Sequence, residues 1–210
     1  MKNTVISEKE WEYADVILKA KMAMDPELAK AHLYASVAHS AAGQTRKYTG
    51  EPYMVHPYAV AQLLCWYGAT NDQLAAAFLH DVVEDTEVTE DHLLEHFNPG
   101  IVKLVMEVTE PDDKEHWGRP GRPDRATRRE LEAQRRTTIS GHGQDISCAD
   151  SMSNACDVVD VAKADYARTY LTELKARTKG LTEASWKIRN AALVMFDEQL
   201  ARLEPVADAA

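Results

Sequence analysis

The sequence predicts an all-α fold. Apolar residues recur at helical spacing along most of the chain, helix caps stand in front of those stretches, and no stretch keeps the period-two alternation of a half-buried strand. The placement of glycine and proline agrees with this. Nine of the seventeen lie between Pro99 and Gly143, whereas Gly180 stands alone between Gln144 and Glu204. Long helices are therefore expected in the last third and a long connection in the middle. A length of 210 residues suits one domain, and residues 1–210 are read as one.

The elements follow in order. Ser7 with Glu10 three residues on forms a capping box for a helix carrying Trp11, Ala14, Ile17 and Leu18. Pro26 suits the first turn of a second helix with Leu28, Ala31, Leu33 and Tyr34. Gly43 to Tyr53 reads as a loop. Pro57 opens a helix through Leu64 that Gly68 ends, and Asn71 is expected to cap the next, running to about Asp85. Shorter helices are expected over Glu90–His96, Ile101–Val108 and Asp124–Arg136. Asp145 to about Val161 and Asp165 to Lys179 follow, the latter closed by Gly180. Thr182 is expected to cap the last helix, through Leu200.

Composition excludes some functions. Twenty-four Lys and Arg against thirty-four Asp and Glu give a net charge of −10, which argues against binding duplex nucleic acid through a basic face. Apolar residues make up 45% of the chain, enough for a real core. The longest unbroken apolar runs, Leu74–Leu79 and Ala191–Phe196, are far short of the ~20 residues of a membrane span. Glu8, Lys9 and Glu10 leave no room for a secretory signal, so a cytoplasmic location is expected. The three cysteines show no CxxC spacing and read as reduced thiols.

The chemistry is expected where local rules are broken. The stretch Leu74–Val83 is apolar nearly all round and should be buried, yet His80, Asp81, Glu84 and Asp85 are set into its end, within about 140° of arc on one helix. Buried carboxylates are costly unless they are paired or bind a metal. His56 stands before Pro57 near a helix N-terminus, a rigid mount for an imidazole ligand. Asp150 and Asn154 share a helix face. Asp150 would complete a set with His56, His80 and Asp81, and two imidazoles with two carboxylates suit Mn²⁺ or Fe²⁺, with Zn²⁺ an alternative. Arg46 and Lys47 form a cation pair in the loop before Gly50, and seven arginines lie between Arg119 and Arg136.

Taken in order, these pieces resemble one family. Gly43-Gln44-Thr45-Arg46-Lys47, then Gly50-Glu51-Pro52-Tyr53-Met54-Val55-His56-Pro57, then Leu79-His80-Asp81-Val82-Val83-Glu84-Asp85-Thr86 are similar to the hydrolase domain of the Rel/SpoT alarmone enzymes. Phe97, Leu104–Thr109 and Ala149-Asp150 with Asn154 continue the match, which covers roughly residues 35 to 160. No synthetase module of the long enzymes is expected in 210 residues, so the chain resembles the small stand-alone alarmone hydrolases, a kind that includes the metazoan SpoT homologue.

The resemblance implies an all-α HD-domain helical bundle holding one metal, usually Mn²⁺, on His56, His80, Asp81 and Asp150. It implies Glu84 and Asp85 as the acids that orient or activate water, Arg46 and Lys47 as the pair packing on guanine, and Asn154 as a nucleotide contact. The reaction implied is removal of the 3′-pyrophosphate from (p)ppGpp, returning GDP or GTP. The alternatives are another 3′-phosphorylated nucleotide or a pyrophosphorylated tRNA, as in antitoxin-type relatives with a tRNA or toxin partner, and a non-catalytic nucleotide-binding regulator.

Departures from the family pattern bear on the substrate. The histidine usual before Gly-Gln is Ala41 here, with His39 two residues early, and Tyr48 and Thr49 lengthen the loop by one residue. Ser147, Ser151 and Cys156 stand where basic residues are usual. Weaker affinity for highly charged substrates is therefore expected, with an arginine restored at 151 lowering KM. The arginines of 119–136 are the sequence's candidates to replace the lost cations.

Overall fold

The structure, a computed structural model, describes residues 5–47, 49–110 and 124–203. Arg119, Arg122 and Tyr48 lie outside the described residues, as does the Arg125 side chain. The described chain is helical: α1 Glu8–Met24, α2 Pro26–Ala41, α3 Val55–Trp66, α4 Asn71–Leu79, α5 Val82–Asp85, α6 Glu90–His96, α7 Pro99–Val108, α8 Arg125–Arg136, α9 Gly141–Val161, α10 Ala164–Gly180 and α11 Trp186–Arg202. Extended pairing among the described residues is limited to an isolated antiparallel bridge, Thr45 to Pro52.

Local chemistry sets most helix starts. The Ser7 hydroxyl accepts from the Glu10 amide while Glu10 reaches back to the Ser7 amide. Asp25 accepts from the amides of Glu27 and Leu28 ahead of α2, and Asn98 from that of Ile101 ahead of α7. Thr70, not Asn71, caps α4, in a capping box with Gln73. Asn71 instead donates to Asp25 of the α1–α2 corner and accepts from Lys21, pinning that corner to α4.

Helix α4 is the centre of the bundle and packs against α2, α3, α7 and α9. Residues 74 to 79 are all buried, and the small side chains of Ala75, Ala76 and Ala77 let neighbouring helices approach on several sides. The core runs without a break from Ile6 to Phe196.

Beyond end shifts of one or two residues, four features differ from the sequence expectation. The helix expected to reach Asp85 breaks at His80–Asp81, where two turn residues separate α4 from the single turn α5. The last helix starts after Ser185, because Thr182–Ser185 form a turn tied to Gln144 and Asp145 of α9. Gly180 is the last residue of α10 and not a left-handed cap, so it does not close the helix as expected. Finally, α9 starts at Gly141, four residues before Asp145, capped by Ser140. A Cβ on Gly141 would lie 2.6 Å from the Glu183 carbonyl oxygen, and one on Gly143 would lie 2.7 Å from Glu107 Oε2. These glycines are read correctly only as close-packing positions, not as breakers.

Candidate active site

The break at His80–Asp81 turns the end of α4 toward the middle of α9 and the start of α3. His80 is buried, and its Nδ1 donates to the Ala77 carbonyl at 2.8 Å, which leaves Nε2 as the bare donor nitrogen. His56, in the first turn of α3, is also buried, with Nδ1 2.9 Å from Ser153 Oγ of α9. Both Nε2 atoms face the same two carboxylates. His56 Nε2 is 3.2 Å from Asp150 Oδ1 and 3.6 Å from Asp81 Oδ2. His80 Nε2 is 3.1 Å from Asp81 Oδ2 and 3.9 Å from Asp150 Oδ1. One donor atom each from His56, His80 and Asp81 lie within 4.8 Å of one another.

Electrostatics shows what this cluster lacks. Burial works against a charge on His80, but Asp81, and then Asp150, outweigh it and lift its pKa to about 9. Burial likewise opposes the charges on Asp81 and Asp150, yet the imidazoles hold both carboxyls far below the usual carboxylate range. Despite its nearness to Asp81, the buried His80 Nε2 has no aligned hydrogen-bond partner among the described residues. Two acids that stay ionised around an orphaned nitrogen fit a divalent cation well. Outer contacts hold the donors in place. The Tyr53 hydroxyl donates to Asp81 Oδ2 at 2.6 Å, and Asn154 Nδ2 donates to Asp150 Oδ1 at 2.6 Å. The sequence did not single out Tyr53 or Ser153 in these roles.

Glu84 and Asp85 part company. Glu84 is half-buried and accepts a hydrogen bond from the Glu110 amide at 2.6 Å. Burial, then the charge of Asp81, raise its pKa to about 8, against the pull of the Glu110 amide and Arg136. Asp85, expected to be buried with the others, is exposed at the rim, because the break in the helix turns the end of α5 outward.

A cleft of about 310 Å³ opens beside the donors. One wall is the loop holding Arg46, Lys47 and Tyr53, closed on itself by Arg46 N donating to Glu51 O at 2.8 Å and Tyr53 N to Gln44 O at 3.3 Å. Gly43 and Gly50 take positive φ at its two ends. Arg46 lies over the Tyr53 ring at 5.9 Å and donates to Asn154 Oδ1 at 3.3 Å, so the expected nucleotide contacts Arg46 and Asn154 are already joined. Lys47 is exposed on the same wall. Asn154, with Tyr166 and Tyr170 of α10 and Arg129 of α8, also lines the cleft. His39, the displaced family histidine, is buried with Nδ1 2.5 Å from Gln44 Oε1 and its ring 4.7 Å from that of Tyr53.

Comparison with known proteins fits this geometry. The HD domain family model matches residues 31–149, a stretch that holds His56, His80 and Asp81 and stops one residue before Asp150. A guanosine-3′,5′-bis(diphosphate) 3′-pyrophosphohydrolase of Vibrio cholerae is 42% identical over 85 residues, and one of Aquifex aeolicus 39% identical over 83. The bifunctional (p)ppGpp synthase/hydrolase SpoT of Escherichia coli K12 is 42% identical over 85 residues. Each match takes in 40% of this chain and 12% of the relative, so the chain spans only a small part of those proteins. Among solved structures, a metazoan ortholog of SpoT, described as hydrolysing ppGpp, superposes with a TM-score of 0.70 at 24% identity, over 85% of this chain and 96% of that one. A Listeria monocytogenes protein superposes with a TM-score of 0.55 at 25% identity, over 74% of this chain and 99% of that one. With more than half of its length matched, and the histidine–aspartate pair at the break between α4 and α5, the chain belongs to the HD domain family.

Proposed function

We propose that the chain is a metal-dependent phosphohydrolase that removes the 3′-pyrophosphate from (p)ppGpp, with Mn²⁺ as its metal. The observation that carries this reading is the convergence of His56, His80, Asp81 and Asp150 around a buried imidazole nitrogen that has no aligned hydrogen-bond partner among the described residues. Beside it lies a cleft of about 310 Å³ with a cation–aromatic wall suited to a planar base. The named activities of the relatives over residues common to both chains support the choice of substrate.

His56, His80, Asp81 and Asp150 would hold the metal. When bound, it supplies Lewis-acid stabilisation of the phosphoryl group and a lowered pKa for the attacking water. The protein does the rest. Arg46, fixed by Tyr53 and Asn154, presents its guanidinium face to the base, with Lys47 beside it. In the reaction the water oxygen bonds to the phosphorus carried on the ribose 3′-oxygen. The P–O3′ bond breaks with its electron pair on O3′, which takes a proton, and the water proton passes to Glu84. A pKa near 8 places Glu84 where a carboxyl can both take and return a proton close to neutral pH. A cation beside Asp81 would relieve part of the repulsion behind that value. Asp85, at the rim, orients the water.

The test is turnover by the Mn²⁺-loaded chain against ppGpp, pppGpp, other 3′-phosphorylated nucleotides and pyrophosphorylated tRNA. Release of pyrophosphate with GDP from ppGpp is expected. Cleavage of another substrate with ppGpp untouched would replace the alarmone reading. Nucleotide binding without any turnover would make the chain a regulator.

A further inference from the structure

Ser147 and Ser151 flank the ligand Asp150 on α9, and both are fully buried. The family pattern has cations at these positions. Here, a guanidinium from another helix occupies each serine hydroxyl. Arg136 Nη1, from the end of α8, donates to Ser147 Oγ at 2.9 Å, and Arg177 Nη2, from α10, donates to Ser151 Oγ at 2.6 Å. The Ser151 hydroxyl in turn donates to the Ser147 carbonyl at 2.7 Å. Two short side chains on α9 thus make room for two long ones arriving from the side.

The two arginines are not equivalent. Arg136 is well compensated: its Nε donates to Glu132 Oε1 at 2.5 Å and its Nη2 to the Val108 carbonyl at 3.1 Å. It is a charge-compensated strut. Arg177 is poorly compensated. Its ion-pair partner is the ligand Asp150, at 3.9 Å, and its Nε is buried without a hydrogen-bond partner among the described residues. Burial, and then the neighbouring Arg136, press against its charge. A buried cation in that condition is costly unless an anion comes to it.

The helix that carries Arg177 also lines the cleft. At 100° per residue, Tyr166, Tyr170 and Arg177 fall within about 40° on one face of α10. The rings of Tyr166 and Tyr170 stack at 5.9 Å with an interplanar angle of 9° and form the cleft wall. The same face therefore runs from the nucleotide cleft to the metal ligands, with the guanidinium at its inner end. All of α10 lies outside the matched HD segment.

We propose that Arg177 is the phosphate-binding cation of this site, supplied from α10 in place of the basic side chains absent at 147, 151 and 156. It rests on the phosphohydrolase reading of the site. A guanidinium can grip two phosphate oxygens at once, and this one lies beside the ligands that would hold the metal. Relocation of the charge explains how α9 can lack its usual cations and still serve a polyanionic substrate. Recognition of the substrate's phosphates then comes from α10.

The test uses Arg177→Gln, Arg177→Lys and the relocation variant Ser151→Arg with Arg177→Ser, each loaded with Mn²⁺. Inorganic pyrophosphate binding is measured by calorimetry, the metal is counted after every titration, and kcat and KM are measured with ppGpp. Arg177→Gln is expected to keep one metal per chain, weaken pyrophosphate binding at least tenfold, and raise KM for ppGpp by a similar factor. Arg177→Lys should fall between it and the parent, and the relocation variant should recover binding. Unchanged pyrophosphate binding in Arg177→Gln would overturn the proposal. So would loss of metal in step with loss of pyrophosphate, since that marks a mere prop for Asp150. If Arg177→Gln does not fold, Arg177→Lys decides: it keeps the charge but not the fork, and unchanged binding would again overturn the proposal. If the parent protein fails to hydrolyse ppGpp but its pyrophosphate binding still depends on Arg177, the alarmone reading falls and the assignment of the cation stands. Hydrolysis of ppGpp with a KM indifferent to Arg177 does the reverse: the alarmone reading stands and the assignment of the cation falls.

Discussion

Replacing Glu84 with Gln should make the metal-free protein more stable and the metal-loaded protein nearly inactive. In the fold, burial and the charge of Asp81 raise the Glu84 pKa from 4.5 to about 8. Above pH 4.5 the unfolded chain releases this proton while the folded chain keeps it. The folded pKa is the raised one, so the group's contribution to stability is fully present below 4.5 and is lost as pH rises through 8. The loss runs at about 1.4 kcal/mol per pH unit, which amounts to at most about 3 kcal/mol at pH 7. Glutamine has the same shape, can still accept from the Glu110 amide, and carries no charge to desolvate. Urea unfolding in the presence of EDTA, at pH 5 and at pH 8, should show the parent losing stability relative to Glu84→Gln across that interval. With Mn²⁺ restored, kcat should fall by ~10²-fold or more at unchanged metal content, the scale of a lost acid–base group. Equal pH slopes for parent and variant would show that Glu84 is solvated, and near-normal turnover would remove it from the chemistry.

The other expectations are shorter. Asp150→Ala should abolish metal binding, read by metal analysis, and full occupancy would exclude Asp150 as a ligand. Tyr53→Phe removes the 2.6 Å hydrogen bond to Asp81 and should weaken metal affinity by roughly 10–100-fold while the protein stays folded, which a chelator competition would measure. Ser151→Arg alone should not lower KM. Ser151 is fully buried and its hydroxyl is already taken by Arg177, so a second guanidinium meets overpacking and like charge; a loss of about 1–3 kcal/mol in thermal unfolding is expected. A stable variant with improved KM would refute that packing argument.

Much of this protein is legible along the chain because the physics there is local. The capping residue Ser7 acts on an amide three positions away, and the apolar run before His80 announces burial from its own composition. The same run, interrupted by His80, Asp81 and Glu84, announces a site, because acids in such a place need a partner. Residue types offered His56 and Asp150 as partners for it, the family resemblance made the set specific, and the structure brings all four side chains together. Local rules misplaced those features that a distant neighbour decides. The sequence places Gly141 and Gly143 in the connection before Asp145, but both lie in α9, where a Cβ on Gly141 would meet the Glu183 carbonyl oxygen. Asp85 read as buried, but a break at His80–Asp81 turned it outward.

The cation that meets Ser151 beside the metal-ligand cluster belongs wholly to tertiary structure. The sequence shows serine at 147 and 151, and its own candidate for replacement was the 119–136 segment. Two of those arginines reach the site: Arg129 lines the cleft, and Arg136 reaches Ser147, where Glu132 and the Val108 carbonyl hold it as a strut. The less compensated charge comes from Arg177, twenty-six residues beyond Ser151 on another helix. Helical periodicity governs neighbours three or four residues apart along one axis. It says nothing about which side chain of a packed helix will fill the space left by a serine, and that space exists only once α8, α9 and α10 are docked.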